Sequence, residues 1–277
     1  DAWHRRVLIG TRTLGVLAFD YESNRLYKLP SAVGTPIINQ LVQDATGTVW
    51  IASFNSGLFT LRQDTLHRAV VTGYKSIRTS FLLPHKKQLL VGDLRKVYVV
   101  ENYQVTDSII LQWDDIDFST LGRVTALCVT RQQKLYIGTE RLGVLVYDFP
   151  SRTFVHYFKP ETAPFFNRIN RILEDRNNNI WILTKAGGVV LFNPASGKLT
   201  KIIRNPWIPY TLSSDNCNAI LEDHTGIIWI AASGALNKYD PAKILFRHIT
   251  YDPNNPNSLS DKMVRCLYED TDGTLII

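Results

Sequence analysis

The sequence predicts an all-β fold, a β-propeller of four-stranded antiparallel blades. Two observations predict it. A turn-and-strand motif recurs along nearly the whole chain at intervals of 40 to 48 residues. Between the copies, dense Asn, Gly, Pro and Ser punctuation breaks up short apolar runs, and no apolar series at helical spacing lasts a dozen residues.

The motif is clearest in three places: Asp44 to Ile51, Asp175 to Ile182, and Asp223 to Ile230. Each has Asp, then Gly47, Asn178 or Gly226 three residues later, then Trp50, Trp181 or Trp229 six later, then Ile. A fourth copy begins at Asp270 and Gly273, with Ile276 in the Trp slot. Degenerate copies place Leu8, Leu90 and Tyr136 in that slot, with Arg5, Lys87 and Gln133 where the turn Gly belongs. The seven slots are then spaced by 42, 40, 46, 45, 48 and 47 residues. A period of this length marks a stacked or radial repeat architecture.

One unit shows the expected elements. Arg168–Glu174 reads as a first strand, residues 175–179 as a polar turn, and Ile180–Thr184 as a second strand. Gly187-Gly188 then opens a third, Val189–Asn193, and Pro194–Gly197 turns the chain into a fourth, Lys198–Ile203. Gly15, Gly57, Gly143 and Gly188 each fall seven residues after a Trp slot, where a tight hairpin requires positive φ. Such a unit leaves both faces uncovered, and radial packing covers each sheet with its neighbours. Residues 1–277 are therefore expected to form a single propeller domain. The first unit begins at a second strand (Arg6–Gly10) and the last stops after its second. The expected count is three strands, five sets of four, then two. Seven blades are expected, with six as the alternative, and either number implies a segment of a longer protein.

Composition narrows the function classes. Of 277 residues, 45% are hydrophobic and 20% charged, the balance of an ordinary globular protein. The net charge of +6 favours an anionic ligand or surface, but the basic residues are scattered, so direct nucleic-acid contact is not expected. No apolar stretch is long enough to span a membrane. Cys128, Cys217 and Cys266 form no metal-ligand pattern; Cys128 and Cys266 sit in strand-like apolar runs and read as buried thiols. The six histidines have no short ligand spacing, so no metal and no cofactor are expected.

The repeat, together with third strands ending in Phe19-Asp20, Tyr147-Asp148, Phe192-Asn193-Pro194 and Tyr239-Asp240-Pro241, resembles the two-component regulator propeller repeat. The linker from Phe246 through Asp252-Pro253-Asn254-Asn255-Pro256-Asn257-Ser258-Leu259-Ser260 is similar to one in extracellular sensors of hybrid two-component systems of gut-type Bacteroidetes. A looser copy runs from Asn205-Pro206 to Thr211-Leu212-Ser213. The resemblance implies a non-enzymatic periplasmic sensor domain of an inner-membrane protein. It also implies a second propeller and an immunoglobulin-like module in the same parent, possession of a membrane only through that parent's helix, and a kinase that belongs to the parent. An oligosaccharide is the implied ligand, and a homodimer is compatible with it.

Asp44, Asp175, Asp223 and Asp270 sit one step ahead of a turn, which suits capping of backbone N–H groups rather than catalysis. Trp50, Trp181 and Trp229 read as blade-to-blade core. The Asp box of sialidases has a different Asp–Gly spacing, and no catalytic residue is assigned. Binding is expected on the loops that join second to third strands and fourth to next first strands. The candidates are Arg12, Phe54, Asn55, Arg95 beside Asp93, Arg141 beside Glu140, Arg168 after residues 164–167, Lys185, Trp207 and Tyr210. Aromatic faces for sugar rings and Arg or Asn for hydroxyls or sulfates suit an oligosaccharide. A propeller lyase or glycosidase and a protein-interaction scaffold are the alternative functions.

Overall fold

The computed structural model describes residues 6–112, 122–158, 168–208, 210–243 and 245–277. Among them are 25 strands and no helix. β1 (Arg6–Gly10), β2 (Val16–Asp20) and β3 (Arg25–Lys28) form a three-stranded sheet. Four-stranded meanders follow. The second sheet holds β4 (Ile38–Gln43), β5 (Val49–Ser53), β6 (Gly57–Arg62) and β7 (Thr65–Arg68). The third holds β8 (Phe81–His85), β9 (Gln88–Gly92), β10 (Lys96–Glu101) and β11 (Gln104–Ile110). The fourth holds β12 (Val124–Val129), β13 (Lys134–Thr139), β14 (Val144–Asp148) and β15 (Thr153–Phe158). The fifth holds β16 (Ile169–Glu174), β17 (Ile180–Thr184), β18 (Val189–Asn193) and β19 (Lys198–Ile202). The sixth holds β20 (Cys217–Glu222), β21 (Ile228–Ala232), β22 (Ala235–Asp240) and β23 (Leu245–Thr250), and β24 (Tyr268–Glu269) pairs with β25 (Leu275–Ile276).

The chain is an all-β propeller of small antiparallel blades. Six sheets of three or four strands are formed, the smaller of the two expected blade numbers, and the seventh repeat is a hairpin. By contacts the chain divides into two compact units, Asp1–Leu127 and Cys128–Ile277.

Within the first unit, alternation along β5 sends side chains to opposite faces. Val49 and Ile51 pack with Val16, Ala18 and Leu29 of the first blade, while Trp50 and Ala52 pack with Leu82 and Val91 of the third. The second unit repeats the scheme: Trp181 of β17 packs with Ile228 and Ile230 of the sixth blade. Trp50 and Trp181 therefore each join their blade to the next within their unit, as expected. Trp229 is only half-buried, because the sheet it faces is the short terminal hairpin.

Asp44, Asp175 and Asp223 each organise their hairpin through the whole carboxylate. One oxygen accepts the backbone N–H groups two and four residues on: Thr46 and Thr48 on Asp44 (2.8 and 3.0 Å), Asn177 and Asn179 on Asp175 (both 2.9 Å), Thr225 and Ile227 on Asp223 (2.9 and 3.0 Å). The other accepts the indole N–H of the motif Trp, at 2.6 Å from Trp50, 2.8 Å from Trp181 and 2.7 Å from Trp229. Burial pushes the Asp44 and Asp223 carboxyls up, but these donors outweigh it and hold both below the ordinary range. Gly47, Gly226 and Gly273 have the positive φ expected of the turn, with Asn178 and Gln133 adopting it in their place. In the β8–β9 hairpin the strained residue is Lys86 rather than Lys87, because the turn has only two residues.

Two further repeated links were not legible as motifs. Asn39, Asn170 and Asn218 each sit on a bulge of a first strand and donate to a carbonyl of the following blade (Thr79, Cys217 and Val264; 2.9, 2.6 and 3.0 Å). In the second unit, the residue after the Asp slot binds the Glu before the next Asp slot. Arg131 N–H donates to Glu174 (2.9 Å), Arg176 Nε to Glu222 (2.7 Å), and His224 Nδ1 lies 2.5 Å from Glu269.

Cys266 corrects the sequence reading. It is exposed, because it precedes a two-residue strand rather than lying within a longer covered one. Burial pushes the thiols of Cys128 and Cys217 up to about 12.

Candidate functional site

The hairpins between second and third strands lie at the end of each blade opposite the Asp turns, since the strands of a meander alternate in direction. Backbone hydrogen bonds stitch them to the loops that enter the first strands. Phe54 N–H donates to Ile37 and Gly57 N–H to Ile77 in the first unit (3.0 and 2.9 Å). In the second unit, Lys185 N–H donates to Arg168 (3.0 Å), Gly188 N–H to Asp215 (2.9 Å) and Gly234 N–H to Lys262 (2.7 Å). The two loop classes expected to carry binding residues thus share one end of the blades within each unit.

A threonine frames three of these hairpins. The hydroxyls of Thr11, Thr139 and Thr184 donate to the carbonyls of Gly15, Gly143 and Gly188 (2.8, 2.9 and 3.0 Å) and accept the N–H groups of Leu14, Leu142 and Gly187 (2.9, 2.9 and 2.8 Å). The four expected glycines all have positive φ, between 76° and 83°. A side chain at Gly188 would meet the Ile202 carbonyl at 2.3 Å, so this position requires glycine on two counts. With the frame supplied by Thr and Gly, Arg12, Arg141 and Lys185 point their exposed side chains to solvent from the intervening positions. The signal was available in sequence as Thr four residues before Gly.

In the first unit, Phe54 is 42% exposed, and the Arg123 guanidinium stands 5.4 Å from its ring centroid. Arg123 lies in the loop entering the fourth blade, and sequence reasoning did not select it. Asn55 serves the loop itself: its side-chain oxygen accepts from Ile37 N–H (3.2 Å) and from the hydroxyls of Ser53 (3.0 Å) and Ser56 (3.3 Å). Arg95 is exposed, with its carbonyl bound by Leu111 N–H (3.0 Å). Asp93 beside it has one carboxylate oxygen buried with no hydrogen-bond partner among the described residues. Burial, opposed by the Thr79 hydroxyl and aided by the Asp93 charge, raises the Tyr74 phenol to about 12.

In the second unit, Arg168 is exposed, with φ of 60°. Residues 164–167 before it lie outside the described residues. Trp207 and Tyr210 stand on the loop from β19 to β20, and both are exposed, Trp207 by 91%. That loop and the one from β23 to β24 share a hydrogen-bond frame. Asn205 Oδ1 accepts Trp207 N–H (3.0 Å) as Asp252 Oδ1 accepts Asn254 N–H (2.9 Å). Thr211 Oγ1 accepts Asn205 N–H (3.0 Å) and donates to its carbonyl (3.1 Å), while Ser258 Oγ does the same with Asp252 (3.0 and 2.9 Å). The tip holds Trp207 and Ile208 in one loop and Asn254 and Asn255 in the other.

The family model described as "Two component regulator propeller" matches residues 164–186. The chain carries a two component regulator propeller repeat. The fold is that of the extracellular domain of the putative hybrid two component system BT3049 from B. thetaiotaomicron, at 20% identity and TM-score 0.75. That likeness covers 98% of this chain and 36% of that one, so the propeller spans about a third of that domain's length. The WD40 beta propeller domain of Doa1 has TM-score 0.72 at 9% identity, covering 98% of this chain and 84% of that one. A streptogramin B lyase has TM-score 0.72 at 10% identity, covering 98% and 85%. No curated protein matches the chain.

Proposed function

We propose that this propeller is the ligand-recognition domain of an extracytoplasmic hybrid two-component sensor, and that its ligand is an oligosaccharide. The repeat at 164–186 and the fold shared with the BT3049 extracellular domain support the signalling context. The observation that carries the ligand reading is the pair of loops with one frame and two tips. Asn254 and Asn255 satisfy that frame, so its geometry does not require apolar side chains at Trp207 and Ile208. A solvent-exposed indole costs apolar hydration that folding does not recover. Stacking on the apolar face of a sugar ring would recover it, with Tyr210 as a second platform and Lys185 and Arg168 as donors to hydroxyls.

In this reading the chain is not an enzyme. The likeness to a lyase concerns architecture, which does not select a chemistry. Its parent is an inner-membrane protein with the propeller on the periplasmic side, a second propeller and an immunoglobulin-like module beside it, and a histidine kinase beyond. Ligand would act by favouring one arrangement of domains in a dimer. The test is calorimetry of the 277-residue chain against an oligosaccharide panel, with product analysis. The expected result is saturable binding without turnover, weakened at least tenfold by Trp207→Ala at unchanged thermal midpoint. Cleavage of the bound oligosaccharide, or full affinity in Trp207→Ala, would overturn the proposal.

A further inference from the structure

The first unit holds an open groove of about 770 Å³, lined by Arg62, Gln63, His67, Arg68, Val70 and Tyr103. It lies away from the loops described above, beside the β6–β7 hairpin and the turn that leads into β11. Two guanidinium groups and an imidazole line it, and none of its lining residues carries a carboxylate. Asp64, the acid within the same hairpin, is engaged by the Arg6 guanidinium. The cations are not merely loose ends in solvent. The Arg62 guanidinium stands 5.6 Å from the Tyr103 ring centroid, and the Tyr103 ring lies 5.0 Å from that of buried Trp50. Tyr103 is fixed from its backbone as well, since its carbonyl accepts Thr72 N–H at 2.9 Å. An arginine laid on an aromatic ring that is itself anchored in the core presents its remaining N–H groups with less entropy to lose.

Given the saccharide ligand proposed above, we propose that this groove binds a sulfate or phosphate ester carried on a saccharide. The fork of each guanidinium matches a pair of oxyanion oxygens. A volume of about 770 Å³ exceeds what an inorganic ion fills and falls in the range of small-molecule sites. Val70, 84% exposed at the rim, offers an apolar contact to the ring that bears the ester. A phosphate ester shares the tetrahedral oxyanion, and the experiment separates the two. The site is independent of Trp207.

The test is titration of the 277-residue chain with a sulfated disaccharide, the same disaccharide without sulfate, the corresponding sugar phosphate, and inorganic sulfate. An ester-bearing sugar is expected to bind more tightly than the unesterified sugar or inorganic sulfate, and to weaken as salt rises. Arg62→Gln and Arg68→Gln are each expected to weaken it about tenfold, the effect of losing one charge-assisted hydrogen bond. Trp207→Ala is expected to leave it unchanged, so failure here is separable from failure of the loop site. Both arginines are exposed, and an unchanged thermal midpoint would show that each variant folds. Equal affinity for the esters and the unesterified sugar, inorganic sulfate binding as tightly as the esters, or full affinity in both variants would overturn the assignment.

Discussion

Replacing Asp175 by alanine should separate the structural account of the motif from a functional one. The carboxylate is 4% exposed and accepts the N–H groups of Asn177 and Asn179 and the indole N–H of Trp181, a residue only 1% exposed. In the Asp175→Ala variant the indole N–H has no acceptor in a buried setting, a cost of about 1–3 kcal/mol. The two turn amides are half-buried and regain water in part, so each adds about 0.5–1 kcal/mol. The expected loss is therefore about 2–5 kcal/mol, a large fraction of the about 5–15 kcal/mol that holds a domain folded. In the terminal repeat the Asp270 carboxylate accepts, among the described residues, only from Thr271 (N–H at 2.7 Å), and Ile276 offers no indole. Asp270→Ala should cost less than about 1 kcal/mol. Urea unfolding followed by far-UV circular dichroism measures both, provided the denaturant slope is unchanged. A double-mutant cycle with Trp181→Phe isolates the indole link, because the phenyl ring has no donor to strand. The reasoning fails if Asp175→Ala costs the same in the Trp181 and Phe backgrounds, or no more than Asp270→Ala.

Acidification offers a second measurement. Asp44 and Asp223 have folded pKa values below the unfolded range of about 3.9, so their stabilisation is complete above that value and disappears as pH falls through the folded ones. Asp44→Asn and Asp223→Asn should be less stable at pH 6 and lose less between pH 4 and pH 2, read from urea midpoints; parallel curves would count against the assignment. Thiol labelling is the third. With Cys266 exposed, and Cys128 and Cys217 raised to about 12 by burial, Ellman's reagent at pH 8 should modify one thiol quickly in the folded protein and three in denaturant. Two fast-reacting thiols would contradict the burial of Cys128 or Cys217.

Periodicity made the blades legible, since all four strands around Trp181 begin and end within one residue of their expected places and the second and third match fully. What periodicity does not reveal is contact between repeats. The Arg176–Glu222 and His224–Glu269 pairs join residues about one blade apart; the Glu recurs before the Asp slot, but its partner changes from Arg to His, so the pairing does not show in one repeat alone. The bulge asparagines escaped for another reason: an extra residue in a strand interrupts the alternation on which strand reading depends. Turn chemistry was read better than its consequence. The Asp slot was recognised as a cap, but its bond to the Trp six residues on appears only when the hairpin closes. At the loop end, the exposed candidates were identifiable from residue type. Arg123 was not, because it meets the Phe54 ring across 69 positions of sequence.

The matched loops at Asn205–Thr211 and Asp252–Ser258 have an implication for how such a domain diversifies. Hydroxyl and amide groups at the two stems hold the chain's path, and the residues between them are released from that duty. Exchanging the tips, Asn254-Asn255 for Trp207-Ile208, would move an aromatic surface from one blade to another with the stems untouched. New specificities could then arise by local substitution, at positions where stability imposes little selection.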